Sequence, residues 1–348
     1  MDNSLNILEE EYYSFLDEYF HVCQELLETG KDYMAIILCH ELFRFLYPLE
    51  PFADFKHTAP VPHSVDLLKR LIAAGKAANQ GIFGYGKEDA QEYMVDVPVE
   101  EDTSLLYTDL WKGYDEAVMS VESRELLIKR LSEDFVDGLK GKTVLDLGCG
   151  SGRYSIALAY AGAKSVSAVD YNSRSYAWSE TYAKENGLNI SFSEANILAL
   201  PFEDEAFDFV FCNGVLHHST DWRQGFREFS RVMKEGGFIY LYATGGFFWN
   251  TRDRLREFFL QIPRQRTDAV LKMIGMPPNR MVFIDTWHVP IEDHISKAEI
   301  EAIASQNGLR FEKVVSKHEL DMDNALTAGF EGAEIVWGEG EHRYQFYK

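Results

Sequence analysis

The stretch VLDLGCGSGRY, residues 144–154, constrains the fold of this chain more than any other part of it. It is a short apolar run that ends in three alternating glycines, Gly148, Gly150 and Gly152. Glycine permits positive φ angles and lets a ligand approach the main chain closely, while the start of a following helix offers unpaired N–H groups. Ligands in open α/β sheets bind at the carboxyl ends of the strands. The stretch therefore predicts a buried strand, a ligand-binding turn and a helix.

The residues around this stretch, from about 140 to 243, alternate between strand and helix patterns. The predicted strands are TVLDLG, SVSAVD, NISFSEA, FDFVFCNG and GGFIYLYA. The helix patterns YSIALAYAG and SRSYAWSETYAKENG separate the first three of them. Strands separated by helices of this length form right-handed βαβ units and a parallel sheet covered on both faces. LRFEKVVS and HRYQFYK predict two further strands, an antiparallel pair at the edge.

Helical patterns fill the chain on both sides of this core. Residues 1–102 are predicted to form an N-terminal helical region, in which Ser64 is a candidate N-cap. Apolar residues at helical spacing after the fifth strand predict a helical insertion at about 246–295. The segment SKAEIEAIASQNG begins with a capping box formed by Ser296 and Glu299.

Composition excludes some classes of protein. The chain has 348 residues and a formal net charge of −22, which argues against a broad nucleic-acid-binding surface because such surfaces need clustered Lys and Arg. Its four cysteines form no CxxC pair and no zinc spacing. The N-terminus is unlike a signal peptide, and no apolar run approaches the roughly 18–20 residues that span a bilayer. We expect a soluble, cytoplasmic protein with no membrane span.

The glycine loop raises the question of a dinucleotide site. That fingerprint is G-x-G-x-x-G/A, and its third small residue would fall at Arg153. Asp170, 20 residues after Gly150 at the end of the second strand, suits a ribose hydroxyl in either case, although a strand-end Asp also caps helices. The loop and Asp170 therefore indicate a nucleoside without identifying it.

Four motifs follow one another in the chain: VLDLGCGSG, AVDYN, ANILALPFEDEAFDFVFCNGVLHH and VMKEGGFIYL. In this order they resemble the class I S-adenosylmethionine-dependent methyltransferases, particularly the ubiquinone/menaquinone-biosynthesis type. The resemblance covers about residues 141–243, with a weaker match at 285–348. It implies an α/β, Rossmann-like, seven-stranded and mostly parallel sheet within a domain at 103–348. It also implies S-adenosyl-L-methionine as cofactor and S-adenosyl-L-homocysteine as product.

The resemblance implies that ten residues bind the cofactor. They are Asp146, Gly148, Cys149, Gly150, Asp170, Tyr171, Asn196, Ile197, Asn213 and Gly214. Asp146 would organise the loop, while Gly148, Cys149 and Gly150 would run along the methionine portion. Asp170 would accept both ribose hydroxyls.

The remaining members of this set would hold the two ends of the cofactor. Tyr171 would lie against the adenine ring, and Asn196 and Ile197 would meet its edge. The family usually has Asp at the first of these two positions, but an Asn carbonyl can still accept from the exocyclic amine. Asn213 and Gly214, at the end of the fourth strand, would line the sulfonium region.

Methyl transfer from a sulfonium needs no metal, and a base is useful only if the acceptor carries a proton near neutral pH. His217 and His218 follow the fourth strand and are the candidate bases, with a plain role in the loop as the alternative. His288 and His294 are further candidates, but they lack the i, i+4 spacing of a zinc site on a helix, and Pro290 lies between them. We therefore predict no metal site.

Six aromatic residues flank the expected open side of the cofactor and are candidates for the wall of an acceptor pocket, although ordinary packing explains each singly. They are Tyr107, Trp111, Tyr114, Phe247, Phe248 and Trp249. Together with the two helical regions they predict a lid that excludes water and selects the acceptor. A closed apolar pocket and the acidic charge favour a small-molecule acceptor.

Three alternatives remain open at this point. One is an RNA methyltransferase with the same core, which would need a basic face assembled from distant residues. Another is a non-catalytic binding protein that retains the fold, against which the intact glycine loop argues. A nicotinamide-dependent oxidoreductase is the third, and Arg153 at the third-glycine position disfavours it.

Overall fold

The computed structural model divides into two compact units, each built from separate stretches of chain. One unit comprises Met1–Asp96, Gly246–Val289 and Leu320–Gly340, and the other comprises Val97–Gly245, Pro290–Glu319 and Glu341–Lys348. The structure describes residues 3–46, 60–80, 106, 127–128, 131, 133–245, 249–275, 281–313, 335, 339 and 341–348.

The second unit contains a seven-stranded sheet. Its strands are β1 (Thr143–Leu147), β2 (Ser165–Asp170), β3 (Ile190–Glu194), β4 (Phe207–Asn213), β5 (Met233–Thr244), β6 (Arg310–Lys313) and β7 (Glu341–Tyr347). Their order across the sheet is β3-β2-β1-β4-β5-β7-β6. The first five strands pair in parallel, while β7 runs antiparallel to both β5 and β6. The predicted α/β fold class with a mostly parallel, seven-stranded sheet is confirmed.

Strand β4 shows why this sheet is covered on both faces. Phe209 and Phe211 point to one side and pack in a cluster with Tyr240. Val210 and Cys212 point to the other side and belong to a second cluster. All of these residues are fully buried, because side chains alternate between the faces of a strand and both faces here are apolar.

Five α-helices accompany the sheet in the described part of this unit. They are α4 (Glu133–Asp137), α5 (Arg153–Tyr160), α6 (Ala177–Glu185), α7 (Trp222–Val232) and α11 (Lys297–Gln306). The predicted capping box of α11 is present: the Glu299 N–H donates to Ser296 Oγ at 3.3 Å, and the Ser296 N–H donates to Glu299 Oε2 at 3.2 Å.

The first unit is helical in its described residues. Its helices are α1 (Asn3–Glu28), α2 (Asp32–Leu46), α3 (Pro60–Gln80), α8 (Trp249–Phe259), α9 (Arg264–Met273) and α10 (Met281–His288). Helix α3 begins at Pro60, so the expectation that Ser64 caps it is wrong. Proline fits the first turn of a helix because its missing N–H would be unpaired there in any case. Ser64 is instead buried within the helix.

Specific contacts join the N-terminal helices to the helices of the insertion. The hydroxyl groups of Tyr12 on α1 and Thr251 on α8 lie 2.8 Å apart. Arg266 on α9 binds both carboxylate oxygens of Asp32 on α2, at 2.8 and 3.1 Å. Both segments therefore belong to the same helical unit. None of the helices within the described ranges is long and apolar enough to cross a membrane.

Candidate functional site

Glycines shape the turn between β1 and α5. Gly148, Gly150 and Gly152 have φ angles of 69°, 51° and 77°, the left-handed region that favours glycine. A Cβ atom on Gly148 would lie 2.4 Å from Cγ2 of Val215, and one on Gly152 would lie 2.6 Å from Cβ of Ser179. The loop therefore needs glycine both for its backbone conformation and for the space around it.

Asp170, at the carboxyl end of β2, is tied to this loop. Its Oδ2 accepts a 2.8 Å hydrogen bond from the Gly150 N–H, and its Oδ1 accepts a 3.2 Å bond from the Asn172 N–H. Burial raises the pKa of the Asp170 carboxyl, while the backbone hydrogen bonds act in the opposite direction. Each oxygen has a second acceptor position, so the carboxylate can still bind two hydroxyl groups.

Asp146, within β1, lies beneath the loop and is 2% exposed. Ser155 Oγ donates to its Oδ2 at 2.6 Å. Burial raises the pKa of Asp146 to about 7, because the charged carboxylate is poorly solvated there. Burial also raises the pKa of the Cys149 thiol well above its usual range, with a further contribution from the Asp170 carboxylate. Cys149 is therefore a neutral part of the wall.

A cavity opens at the carboxyl ends of the parallel strands, and all ten residues predicted to bind the cofactor line it. The lining comprises Asp146, Gly148, Cys149, Gly150, Ser151, Arg153, Tyr154, Asp170, Tyr171, Ala195, Asn196, Ile197, Leu198, Phe211, Asn213, Gly214, Val215, His218, Ser219 and Thr220. The other ten lining residues were not predicted to bind the cofactor, and four of them, Ser151, Ala195, Leu198 and Val215, are sequence neighbours of residues that were.

Two polar atoms of the cavity wall are buried and have no hydrogen-bond partner among the described residues. They are Oγ of Ser151 and Oδ1 of Asn213. Buried polar groups are nearly always hydrogen-bonded in native proteins, because an unpaired one costs about 1–3 kcal/mol. These two atoms indicate that the cavity takes a ligand with polar groups.

The loop after β3 forms another part of the wall. Asn196 Oδ1 accepts a 2.8 Å hydrogen bond from the Leu198 N–H, so this side chain holds its own loop in place. Its oxygen retains a second acceptor position for an amine. Tyr171 is 45% exposed, which leaves its ring available to an adenine or to solvent.

The two adjacent histidines occupy different positions. His218 lines the cavity, and its Nδ1 lies 2.8 Å from the carbonyl oxygen of Ile291. His217 is 4% exposed and is not among the lining residues. Its Nδ1 lies 3.4 Å from the backbone N–H of Thr244. Of the two candidate bases, the cavity therefore includes only His218.

A carboxylate that the sequence did not predict as a site residue, that of Glu292, lies close to both histidines. One carboxylate oxygen of Glu292 and one ring nitrogen of each histidine lie within 4.8 Å of one another. These three atoms could hold a metal ion. Glu292 is 74 residues from His218, so no local spacing indicates the group.

The other histidine candidates lie in different units of the structure. His288, at the end of α10, belongs to the helical unit, and its Nε2 lies 2.9 Å from Oγ1 of Thr267. Burial lowers the pKa of His288 to about 3, so its ring is neutral at physiological pH. His294 belongs to the sheet unit.

The predicted aromatic wall cannot be placed. Tyr107, Trp111, Tyr114, Phe247 and Phe248 lie outside the described residues. Trp249 is the first residue of α8, and its side chain is not described.

The sheet, the glycine loop and the strand-end carboxylate point to one class of domain. Residues 145–241 match the family model described as a methyltransferase domain. This segment is a methyltransferase domain. The family expected from the four motifs is thereby confirmed for this segment, and S-adenosylmethionine is the cofactor of such domains.

Comparison with curated proteins gives partial matches to this methyltransferase domain. The chain is 31% identical over 144 residues to a demethylmenaquinone methyltransferase of Bacillus pumilus, covering 40% of this chain and 61% of the relative. It is 36% identical over 104 residues to a ubiquinone biosynthesis O-methyltransferase of Pseudomonas fluorescens, covering 30% and 44%. The chain thus spans less than two thirds of the length of these relatives. Among solved structures, the YcgJ protein of Bacillus subtilis has a TM-score of 0.45 at 19% identity, covering 65% of this chain and 97% of that one.

Proposed function

We propose that this protein transfers a methyl group from S-adenosylmethionine to a small-molecule acceptor by direct in-line displacement. The main support is the cavity at the strand ends, where all ten predicted cofactor residues meet and where Ser151 Oγ and Asn213 Oδ1 are buried without a partner among the described residues. These two atoms need a polar ligand, and a nucleoside carrying an amino acid provides one.

The residues of the cavity fit the parts of this cofactor. Asp170 has acceptor positions for two ribose hydroxyls, and the glycine loop leaves main-chain atoms accessible beside the methionine portion. At the other side of the wall, Asn196 and Ile197 would meet the adenine edge. Asn213 and Gly214 would lie near the sulfonium, because they end the central strand β4.

When bound, the cofactor supplies an electrophilic methyl group on a sulfonium, so that the acceptor forms a bond to carbon as the carbon–sulfur bond breaks. The protein has to align the acceptor and exclude water, and such positioning can contribute on the order of 7–11 kcal/mol. His218 is the histidine that lines the cavity. The carbonyl of Ile291 can only accept a hydrogen bond, so His218 Nδ1 is the atom that carries the proton in this contact. In the neutral ring, Nε2 is then the nitrogen with a lone pair.

Two observations support a small acceptor over a nucleic acid. The formal net charge of −22 disfavours a large polyanion. The curated relatives are named for menaquinone and ubiquinone biosynthesis, whose intermediates are small molecules. We assign acceptor selection to the helical unit, since its helices lie outside the segment that matches the methyltransferase domain.

The first test is calorimetric titration of the purified protein with S-adenosylhomocysteine. We expect binding at one equivalent, with NADH as a control that does not bind. Absence of S-adenosylhomocysteine binding would overturn the proposal.

The second test addresses the acceptor. The protein and methyl-labelled S-adenosylmethionine are incubated with a fractionated cell extract, and label is expected in the small-molecule fraction. Label that appears only in ribonuclease-sensitive material would instead identify an RNA methyltransferase.

A further inference from the structure

His218, which lines the cavity, belongs to a set of three metal-ligating side chains. His217 and His218 follow β4, and Glu292 comes from the segment after α10. One potential ligand atom from each lies within 4.8 Å of the other two. In a tetrahedral metal site with bonds of about 2.0–2.2 Å, ligand atoms are about 3.3–3.6 Å apart, so side-chain rotations that close each separation by up to about 1.5 Å let the three share one ion.

Backbone contacts on both sides of Glu292 fix it beside the two histidines. The carbonyl of Ile291 lies 2.8 Å from Nδ1 of His218. The Asp293 N–H donates to the carbonyl of His217 at 2.7 Å. These contacts therefore hold the backbone of Glu292 beside the histidines. The three residues come from backbone segments that are bonded to one another rather than from independent surface loops.

The surroundings of each histidine suit coordination. A metal-binding histidine usually donates its other ring N–H to a carbonyl or carboxylate, as His218 does to Ile291. Nδ1 of His217 accepts a long hydrogen bond of 3.4 Å from the Thr244 N–H, so this nitrogen carries a lone pair, as a metal ligand must. With exposures of 4% for His217 and 9% for Glu292, the ligands are shielded from competing water.

From this geometry we infer that His217, His218 and Glu292 bind a divalent transition metal whose remaining positions face the cavity. Two imidazoles and one carboxylate suit zinc, manganese, iron, cobalt or nickel, whereas magnesium and calcium prefer all-oxygen sites. Two neutral imidazoles and one carboxylate leave the bound ion with one net positive charge. The site therefore favours an acceptor that carries an ionisable hydroxyl group.

The role of the metal rests on the proposed function, whereas the metal site itself does not. A hydroxyl acceptor bound to the ion has a lowered pKa and releases its proton to solvent. Its oxygen then forms the bond to the methyl carbon, and the carbon–sulfur bond breaks with its electron pair going to sulfur. This assigns O-methylation to the site and makes His218 a metal ligand instead of a base.

Metal binding can be measured without any turnover. The untagged, full-length protein is treated with a chelator, dialysed and titrated with Co²⁺ while the visible d–d absorbance is recorded, and the titration is repeated with Zn²⁺ in a calorimeter. We expect one equivalent of each metal to bind. An absence of any stoichiometric site in the wild-type protein would overturn the inference.

Variants localise the site. His218→Ala and Glu292→Gln are each expected to weaken Co²⁺ binding by about tenfold or more, since each removes a ligand. Asp293→Asn removes the same charge one residue away on an exposed side chain, and His21→Ala removes an exposed histidine on α1. Both controls are expected to bind Co²⁺ like the wild type. Equal losses in the controls and the ligand variants would show adventitious surface binding and contradict the site.

Failure of this inference can be told apart from failure of the proposed function. S-adenosylhomocysteine titration of the metal-free protein tests the cofactor cavity alone. Cofactor binding without metal binding overturns the metal site and leaves His218 as the candidate base. Metal binding without cofactor binding supports the metal site and overturns the proposed methyl transfer.

Discussion

The backbone N–H of Gly150 donates a 2.8 Å hydrogen bond to Oδ2 of Asp170. This bond joins the turn after β1 to the end of β2, and the two residues are 20 positions apart in the chain. It holds the glycine-rich turn, Gly148–Gly152, against the carboxylate of Asp170. The two sequence features that indicated a nucleoside site are thus parts of one hydrogen-bonded structure.

Replacing Asp170 is expected to weaken cofactor binding strongly. Asp170→Ala removes the acceptor for the ribose hydroxyls and releases the Gly150 loop, and hydrogen bonds to charged groups contribute about 1.5–3 kcal/mol each. We expect the dissociation constant for S-adenosylhomocysteine to rise at least about 10- to 150-fold in calorimetry. Glu194→Gln is the control, because Glu194 ends the neighbouring strand β3 but does not line the cavity. An unchanged constant in Asp170→Ala would place the ribose elsewhere.

Replacing Gly148 is expected to cost more stability than replacing a glycine of similar backbone conformation elsewhere. In Gly148→Ala the new Cβ overlaps Val215, in addition to the left-handed backbone penalty of about 1–2 kcal/mol. Gly187→Ala has a φ of 63° with nothing within 4 Å of its Cβ, so it carries the backbone penalty alone. Denaturant unfolding should show a loss of about 2–5 kcal/mol in the first variant and about 1–2 in the second.

A double variant separates the two contributions. Val215→Ala removes Cγ1 and Cγ2, the two atoms nearest to the new Cβ, and keeps only Cβ at 3.0 Å, so Gly148→Ala with Val215→Ala should be destabilised by less than the sum of the single variants. Strict additivity would contradict steric overlap as the cause.

Asp146 is expected to make stability depend on pH. Its pKa rises from 3.8 to about 7 on folding, so between about pH 4 and 7 the folded protein binds a proton that the unfolded chain has lost. The stabilising contribution of protonated Asp146 to the free energy of unfolding is therefore complete below about pH 4. It declines by about 1.4 kcal/mol per pH unit between about pH 4 and 7, and it is lost above about pH 7. Asp146→Asn stays neutral and can still accept from Ser155.

The measurement compares the free energies of unfolding of the wild type and Asp146→Asn from pH 4 to 8. The difference should shift in favour of the variant as pH rises and become constant above about pH 7. Parallel profiles would show that Asp146 is ionised throughout this range.

Asn213 is expected to affect cofactor binding more than stability. Because its buried Oδ1 has no partner among the described residues, Asn213→Ala loses no hydrogen bond of that oxygen in the absence of ligand. We expect S-adenosylhomocysteine affinity to fall about five- to tenfold, the loss of one neutral hydrogen bond. Asn189→Ala, an exposed asparagine outside the cavity, should bind the cofactor normally. Equal affinities in the two variants would separate Asn213 from the cofactor.

The sequence predicted the sheet well because the determinants of its strands are local. β1 to β5 are apolar runs bounded by glycine, proline or polar residues, and both the alternation in β4 and the capping box at Ser296 can be recognised within a few residues. The ten residues predicted to bind the cofactor share the cavity for the same reason. Each follows a strand or lies within one, and the carboxyl ends of parallel strands meet at one edge of the sheet.

The remaining features depend on contacts between distant parts of the chain. Glu292 reaches His217 and His218 only because a segment that follows three inserted helices returns to the end of β4. Helix α10, Met281–His288, lies within the predicted helical insertion at about 246–295, although no local pattern marked its bounds. The start of α3 was misplaced because Ser64 has the chemistry of a cap, whereas Pro60 occupies the first turn.

The helical unit is interrupted by residues 97–245, most of the sheet. At a synthesis rate of about 5–20 residues per second, roughly 10–40 s pass between the synthesis of the end of α3 and that of the end of α10. During that interval Tyr12 and Asp32 lack Thr251 and Arg266, their partners in the finished protein. A nascent chain whose synthesis stalls within residues 97–245 would therefore leave the surfaces of α1 to α3 that pack against α8 to α10 exposed. Chaperones could bind these surfaces.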